Sequence, residues 1–585
     1  MGILFLLIAS AAWLGYKASI INDNLRNAVA LAPQVEAAVA ANRLEAASES
    51  VQEIEQSTRA ARAAVDDPLW KLAGALPLAG ENFRAVSEIA VSADDLVQLG
   101  AKPLLDIVGT LEWQTLVPRD GGVNLEPLEA AGPKLQSVAH AVRESSDRLN
   151  GISAGGLVPQ ISAPVTDARA KLTRISKEMD SAAEIAEVAP TMLGGSGPRD
   201  YLLLIQNNAE SRASGGIPGA LAVLTLNEGK LTLGAQASTA DIPSLSPALQ
   251  VDPEQELIYS KRLGRYIQDV NLTPDFPTAA STAQAMWERQ TGKRVAGVVS
   301  IDPIALGYVL AATGPVTVGS PELLALTGGT LPSELTADNV VPTLLSDVYT
   351  KIQRPASQDA YFAGVAQQIF AALSDGRSDA KMLIEGLSRG AREGRMLLWS
   401  SFDHEQSVIS KHILGGSVSG PAVSPAQFGV YFNDGTGAKM DYYVRRTVQL
   451  IKECPKEGYE QTTVRVTSLN TAPADAATSL PAYVTGDGNF GVPPGAVQTN
   501  IVAYGPVQAH VETAKLDGQK TEFAPYFHGN RPVGVLAIQL APGESQTVDF
   551  TFGKIVQHTE PNVVVTPTVQ DVKDVTLPTE TAACG

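Results

Sequence analysis

Residues that usually carry metal or nucleophilic chemistry are scarce. The chain has 585 residues but only two cysteines and six histidines. Cys454 and Cys584 stand in no CxxC or Cys/His spacing, which argues against a zinc site. The histidines are scattered, so the sequence gives no support to a His-centred triad. No GxGxxG opens an expected helix, GxxxxGK[ST] and HExxH are missing, and no GxSxG stands at an expected strand-to-helix turn. Support for dinucleotide, P-loop, zincin and α/β-hydrolase chemistry goes with them. Positive charge is also short. Lys plus Arg number 44 against 62 Asp plus Glu, a net charge of −18. Such a surface repels phosphate backbones, so no nucleic-acid partner is expected, and any polyanion would need a local basic pocket.

Long apolar runs are confined to one. The first sixteen residues, "MGILFLLIASAAWLGY", carry no charge, and Lys17 is the first. As a helix they span roughly 24 Å, less than the roughly 30 Å of a hydrocarbon core. Continuation to Ile21 with a snorkelling Lys17 completes a single-pass anchor over residues 1–21. The competing readings are a signal peptide, which lacks its basic leader, and a core helix. The missing leader points to a true start upstream. With no N-terminal flank to count, the side of the membrane is an inference.

Beyond the anchor, residues 22–192 read as a helical bundle. Leu44, Ala47, Val51 and Ile54 step by three and four, as do Leu157, Ile161, Val165, Ala168, Leu172, Ile175 and Met179. Asp67 and Pro68 form an N-cap and N1 pair, Gly80 is expected to end that helix, and Asn82 to cap the next. "Gly-Pro" at 132 and "GISAGG" at 151 punctuate the rest. Packing of these helices on themselves competes with a partner-binding stalk.

From 195 to 438 strands and helices alternate, as in an α/β sandwich. "NEGK" at 227–230 is a hairpin turn, and Asp302, Pro303 and Gly314 frame a helix. "FGVYFNDGTGAKMDYYVRRTVQL" reads as a hairpin around a Gly-rich turn. From 439 to 560 alternation of period two, as in Val548, Phe550 and Phe552, points to an Ig-like β-sandwich. Residues 561–585 read as an unpatterned tail. Cys454 and Cys584 either form a disulfide stapling that tail or remain two thiols.

"NNAESRASGG", residues 207–216, is the strongest chemical motif. Asn207, Asn208, Glu210 and Arg212 follow a strand, where α/β sheets bind ligands, and Gly215 and Gly216 let backbone N–H groups approach an anion. The alternative is an internal latch, with amides and a Glu–Arg pair satisfying backbone groups and glycines supplying positive φ. Lys261, Arg262 and Arg265 are a basic cluster that could join a ligand site. Asp269, Asn271 and Asp275 could hold a divalent cation, or make Asx turns and a helix cap. Arg354 and Asp359 flank a helix start, where the Asp could simply favour the helix dipole.

"YLLLIQNNAESRASGGIPGA", "DVNLTPDFPTAA", "GVVSIDPIALGYVLAATGPV" and "VYFNDGTGAKMDYYV" together resemble the bacterial family called domain of unknown function 4012, over about residues 60–555. The resemblance implies a membrane-anchored envelope protein of Gram-positive, often actinobacterial, type, and no activity. "PTAASTAQAMWERQTGKRVAGVVSIDPIALGYVLAATGPVTV" is similar to the LytR–CpsA–Psr family, whose members transfer glycopolymers from a polyprenyl diphosphate with Mg²⁺. That resemblance places Arg354 and Asp359 at family positions; Glu210 and Arg212 of the polar motif are the other catalytic candidates. Phe362 and Ala366 stand where further arginines are expected, and "STADIP" offers only Asp241. Two functions follow as expectations: handling of a lipid-linked or wall glycopolymer at the cell membrane, or a non-catalytic scaffold for other envelope proteins.

Overall fold

The computed structural model describes residues 2–584 except 42, 78, 111–117, 119–121, 319 and 320. The chain divides into two compact units, residues 1–116 with 124–192, and 117–123 with 193–585.

The first unit is helical. It comprises α1 (Gly2–Ala40), α2 (Leu44–Val65), α3 (Pro68–Ala73), α4 (Gly80–Asp95), α5 (Lys102–Thr110), α6 (Glu126–Asn150) and α7 (Pro159–Met192). α1 is the one helix among the described residues long and apolar enough to cross a membrane. Its far half is not free: Ile21, Ala28 and Ala38 are buried, and Ile21 packs with Ala61, Ala64, Val65, Trp70 and Ala90. Ala47 and Val51 of α2, and Val165 and Leu172 of α7, are buried as their spacing requires. Asp67 does cap α3, accepting from Leu69 N at 2.9 Å. Gly80 does not end that helix. Gly74 does, and Gly80 opens α4 because a Cβ there would meet Gly74 O at 2.4 Å. Asn82 is no cap either; its Oδ1 accepts from Val158 N at 2.9 Å. Gly132 and Pro133 do not end a helix but lie inside α6, which continues past them.

The second unit begins with β1 (Arg199–Arg212), β2 (Gly215–Asn227) and β3 (Lys230–Ser238). Then come α8 (Pro253–Tyr259), α9 (Phe276–Thr291), β4 (Gly297–Ile301), α10 (Pro303–Thr313), α11 (Pro355–Ser374), α12 (Ala380–Arg392) and β5 (Met396–Ser400). The five strands form one sheet in the order β3-β2-β1-β4-β5, with β1 and β4 parallel and the other pairs antiparallel. Leu202, Leu204 and Val298 pack under Phe276, Ala283 and Met286 of α9. The expected turn is present at 227–230, with Glu228 at φ 50° and Gly229 at φ 75°. Asp302 caps α10 through Ala305 N, and Gly314 closes it. Asp379 caps α12 through Met382 N.

Two further sheets face each other across a shared apolar core. One has the order β11-β10-β14-β8-β7-β16 and the other β12-β13-β9-β6-β15. Their strands are β6 (Gln427–Asp434), β7 (Val444–Lys456), β8 (Tyr459–Asn470), β9 (Val497–Tyr504), β10 (His510–Leu516), β11 (Gln519–Thr521), β12 (Ala524–His528), β13 (Arg531–Leu540), β14 (Ser545–Ile555), β15 (Asn562–Val565) and β16 (Glu580–Thr581). Phe428, Val430 and Phe432 from one sheet meet Val464, Phe550 and Phe552 from the other. β6 and β7 are therefore not the expected hairpin. The turn after Asp434, with Thr436 N and Gly437 N donating to its carboxylate, carries the chain from one sheet to the other.

The last residues are also not an unpatterned stretch. β15 pairs in parallel with β6, and β16 with β7, covering both sheet edges. Pro and Thr hid these strands, because each is too short to show a period. Cys454 and Cys584 are joined in a disulfide with Cα atoms 5.6 Å apart, across 130 residues of sequence. The bond closes a long loop and holds β16 to the edge. Replacing Cys584 by Ser should lower stability by about 2–4 kcal/mol, read as a lower urea midpoint in the full chain, with the fold retained. An unchanged midpoint would mean that β16 contributes no constraint.

Candidate functional site

The polar stretch is strand, not loop. β1 runs through Asn207–Arg212, turns at Ala213 and Ser214, and returns at once as β2, with register shifts at Ile205/Gln206 and Asn207/Ser211. This hairpin arm is buried along its length. A buried arm must satisfy most of its polar groups internally, and its amide nitrogens are bonded, although Asn208 Oδ1 and Ser214 Oγ have no protein partner. Asn207 Nδ2 donates to the Tyr349 hydroxyl, and Asn208 Nδ2 donates to Pro567 O at 3.0 Å and Asp302 Oδ2 at 3.2 Å. Ser211 N donates to Asp441 Oδ2 and Ala213 N to Asn433 Oδ1, while Thr566 Oγ1 donates to Ala213 O. The arm thus threads between the first sheet and the strand pair β6–β15.

The glycines serve the chain itself. Gly215 has φ 138°, a conformation L side chains rarely adopt. A Cβ on Gly216 would sit 2.1 Å from the Asn207 carbonyl carbon. Gly216 N is taken by Gln206 Oε1 and Gly216 O by Asn271 Nδ2. They admit close approach of β1 and β2, not of an outside anion.

Charge on the arm is paired inside the unit. Glu210 Oε1 accepts from Arg212 Nη2 at 3.0 Å and Glu210 Oε2 from Lys439 Nζ at 2.8 Å. Arg212 Nη2 also reaches Asp269 Oδ1 at 3.3 Å, and Nη1 donates to Ser211 O. Arg212 Nε and Ser211 Oγ make no hydrogen bond to protein atoms. Arg262, largely exposed, places its guanidinium 2.6 Å from Asp269 Oδ2 without in-line hydrogen-bond geometry. Lys439 lies over the rings of Tyr349 and Tyr483, 5.6 Å from each centroid. Burial alone would raise the pKa of Glu210, but Lys439 and Arg212 outweigh it and hold it below the ordinary carboxylate value. Burial likewise opposes charge on Lys439, and Glu210 more than offsets that, raising its pKa. Asp434 is the exception. Burial, then the Asp441 and Glu210 carboxylates, push it up to about 7.

The other expected residues disperse. Lys261 is exposed, 4.0 Å from Glu256, while Arg262 and Arg265 both lie over the Tyr266 ring. Asp269 serves the two arginines, Asn271 a backbone carbonyl, and Asp275 caps α9 through Thr278 N. Among the described residues no group of three or more His, Cys, Asp or Glu is placed to hold a metal ion. Arg354 is exposed at the start of α11, and Asp359 lies past its first turn, which holds no acidic residue. The cluster around Arg212 includes neither.

Sequence reasoning missed Lys439, Asp441, Arg446 and Arg395. Arg446 Nη2 is paired with Asp441 Oδ1, both side chains fully buried. Arg395, also fully buried, donates to Asp302 Oδ2 at 2.8 Å, Glu393 Oε2 at 2.8 Å, Thr568 O and Gln570 O. An isolated cation within a strand pattern was the available signal. Nearby, a cavity of about 200 Å³ is lined by Ala213, Ser214, Leu397, Val418, Tyr431 and Val565 among others, with Arg212 outside it.

Breaking a buried pair strands its partner, so Arg212→Met should cost about 3–5 kcal/mol, measured by urea unfolding. Asp434 supplies a pH test. Its ordinary value is 3.8 and its folded value about 7, so the folded chain holds the extra proton between them. That contribution to stability is fully present below the lower value and is lost as pH rises through about 7. Asp434→Asn should flatten that decline relative to the unaltered chain; parallel curves would contradict the assignment.

Residues 196–349 match the family model described as protein of unknown function (DUF4012). The match is narrower than the span of the resemblance in the sequence. No curated protein and no solved structure matches the chain.

Proposed function

We propose that this chain is a membrane-tethered, extracytoplasmic scaffold of the cell envelope, in which the polar arm is a structural latch. One observation carries the reading: both Glu210 oxygens and both terminal nitrogens of Arg212 are engaged by buried groups of the same unit. Oxyanion or phosphoryl stabilisation requires donors aimed at a space a substrate can enter. These donors are aimed at Glu210, Asp269 and Ser211. The handling of a lipid-linked or wall glycopolymer needed Arg212, Arg262 and Arg354 to meet at one cavity. Burial of the first and exposure of the other two lend that reading no support.

Redox chemistry supports the outer side of the membrane. A disulfide across 130 residues forms and persists in an oxidising compartment and is rare in a reducing cytosol. With α1 as anchor, the bulk of the chain lies outside the cell. The helices and the β-sandwich then face other envelope proteins.

Native mass spectrometry of the full chain, extracted in mild detergent, tests the proposal. The expected species is the polypeptide free of saccharide, with both cysteines refractory to maleimide until reduction. A copurified lipid-linked sugar, lost in a folded Arg212→Lys variant, would overturn the scaffold reading.

A further inference from the structure

Turned-out leucines on α3 stand beside the anchor. Leu69, Leu72 and Leu76 are 38%, 65% and 51% exposed, whereas Trp70 and Ala73 between them are buried. Spacing of three and four puts the leucines on one face of the short helix and the turn after it. An exposed apolar face on so small an element is the reverse of what water favours.

The element is held rigidly in this attitude. Trp70 packs edge-on against Phe83, centroids 4.9 Å apart, and donates to Ser87 Oγ at 3.1 Å. Arg84 Nη1 donates to Gly74 O, closing the end of the helix. At its start, Asp67 caps α3 and also binds α1: Trp13 Nε1 donates to Asp67 Oδ2 at 3.1 Å, and Lys17 Nζ lies 3.4 Å from the same oxygen.

That joint fixes a level. Trp13, Tyr16 and Lys17 are the residue types that sit at a membrane–water boundary, with an apolar body and a polar end. Trp13 and Tyr16 are exposed and in ring contact, and Lys17 lies over the Trp13 ring. Below them on α1, Phe5, Leu6, Leu7 and Ile8 are each more than 60% exposed. α3 thus starts beside the boundary-type residues of α1, with its three leucines exposed. Lys71, on the same element, is exposed and paired with Asp66 at 2.9 Å.

We propose that α3 is a second membrane contact: an interfacial helix whose Leu69, Leu72 and Leu76 enter the headgroup–acyl boundary of the leaflet from which α1 emerges. The inference rests on α1 entering the bilayer with its boundary at Trp13–Lys17 and not at the expected Ile21, which is buried in the helical unit. It adds a reason for the rigid Asp67–Trp13 joint, which sets the tilt of the helical unit on the membrane by two points instead of one.

The test reconstitutes the full chain in phosphatidylcholine vesicles, with and without bromine near the headgroup end of one acyl chain. Three variants are compared with the unaltered protein: Leu7→Trp in α1, Leu72→Trp in α3 and Ile185→Trp in α7. Ile185 is 46% exposed and lies about 40 Å along α7 from Pro159, the end of α7 that meets Asn82. Bromolipid should remove most of the added emission of Leu72→Trp and Leu7→Trp and leave that of Ile185→Trp. Quenching of Leu7→Trp alone would overturn the contact at α3 while the anchor stands. Quenching of neither would remove the anchor and the inference with it. Equal quenching of Ile185→Trp would mean non-specific lipid contact and would also overturn the assignment.

Discussion

Glu210 shared between Arg212 and Lys439 is the interaction on which the architecture of the second unit depends. Glu210 and Arg212 stand on the arm of the first sheet, and Lys439 on the segment that crosses between the two later sheets. The pairing therefore joins two elements far apart in sequence. Such a cluster is not a source of large net stability, since each charge surrenders its hydration. Its effect is specificity. Any other placement of the arm leaves a carboxylate or a guanidinium buried without a counter-charge, at much greater cost.

A second buried joint repeats the logic. Asp302 begins α10, and Arg395 precedes β5 on the neighbouring strand of the same sheet. Arg395 binds Asp302 and then the carbonyls of Thr568 and Gln570. Asn208 reaches Asp302 and Pro567 O from the arm. The last thirty residues, with little apolar surface of their own, are thus held by three devices: charge-assisted hydrogen bonds to carbonyls, strand addition at two edges, and the disulfide.

Much of the local structure was legible. The Asp67–Pro68 and Asp302–Pro303 caps, the 227–230 turn and the alternation of Val548, Phe550 and Phe552 each depend on chemistry within a few residues. What misled was chemistry completed from a distance. "NNAESR" looks like a ligand loop because polar residues interrupt an apolar run. It is a strand whose partners, Tyr349, Asp441, Lys439 and Pro567, lie 140 to 360 residues away. Both readings of the stretch name the same side chains, and only coordinates decide whether the donors are spent. The β6–β7 segment misled for a similar reason: a Gly-rich turn signals a reversal but not which sheet the chain joins next.

Native-state hydrogen exchange of the full chain separates a latch from a ligand loop most directly. If the arm is locked by the Glu210 cluster, the amides of Ser211, Ala213 and Gly216 open only with the core strand β9, at the same free energy and denaturant dependence. Exchange of those three amides through a small local opening, well below that of β9, would mark a mobile binding segment and contradict the account.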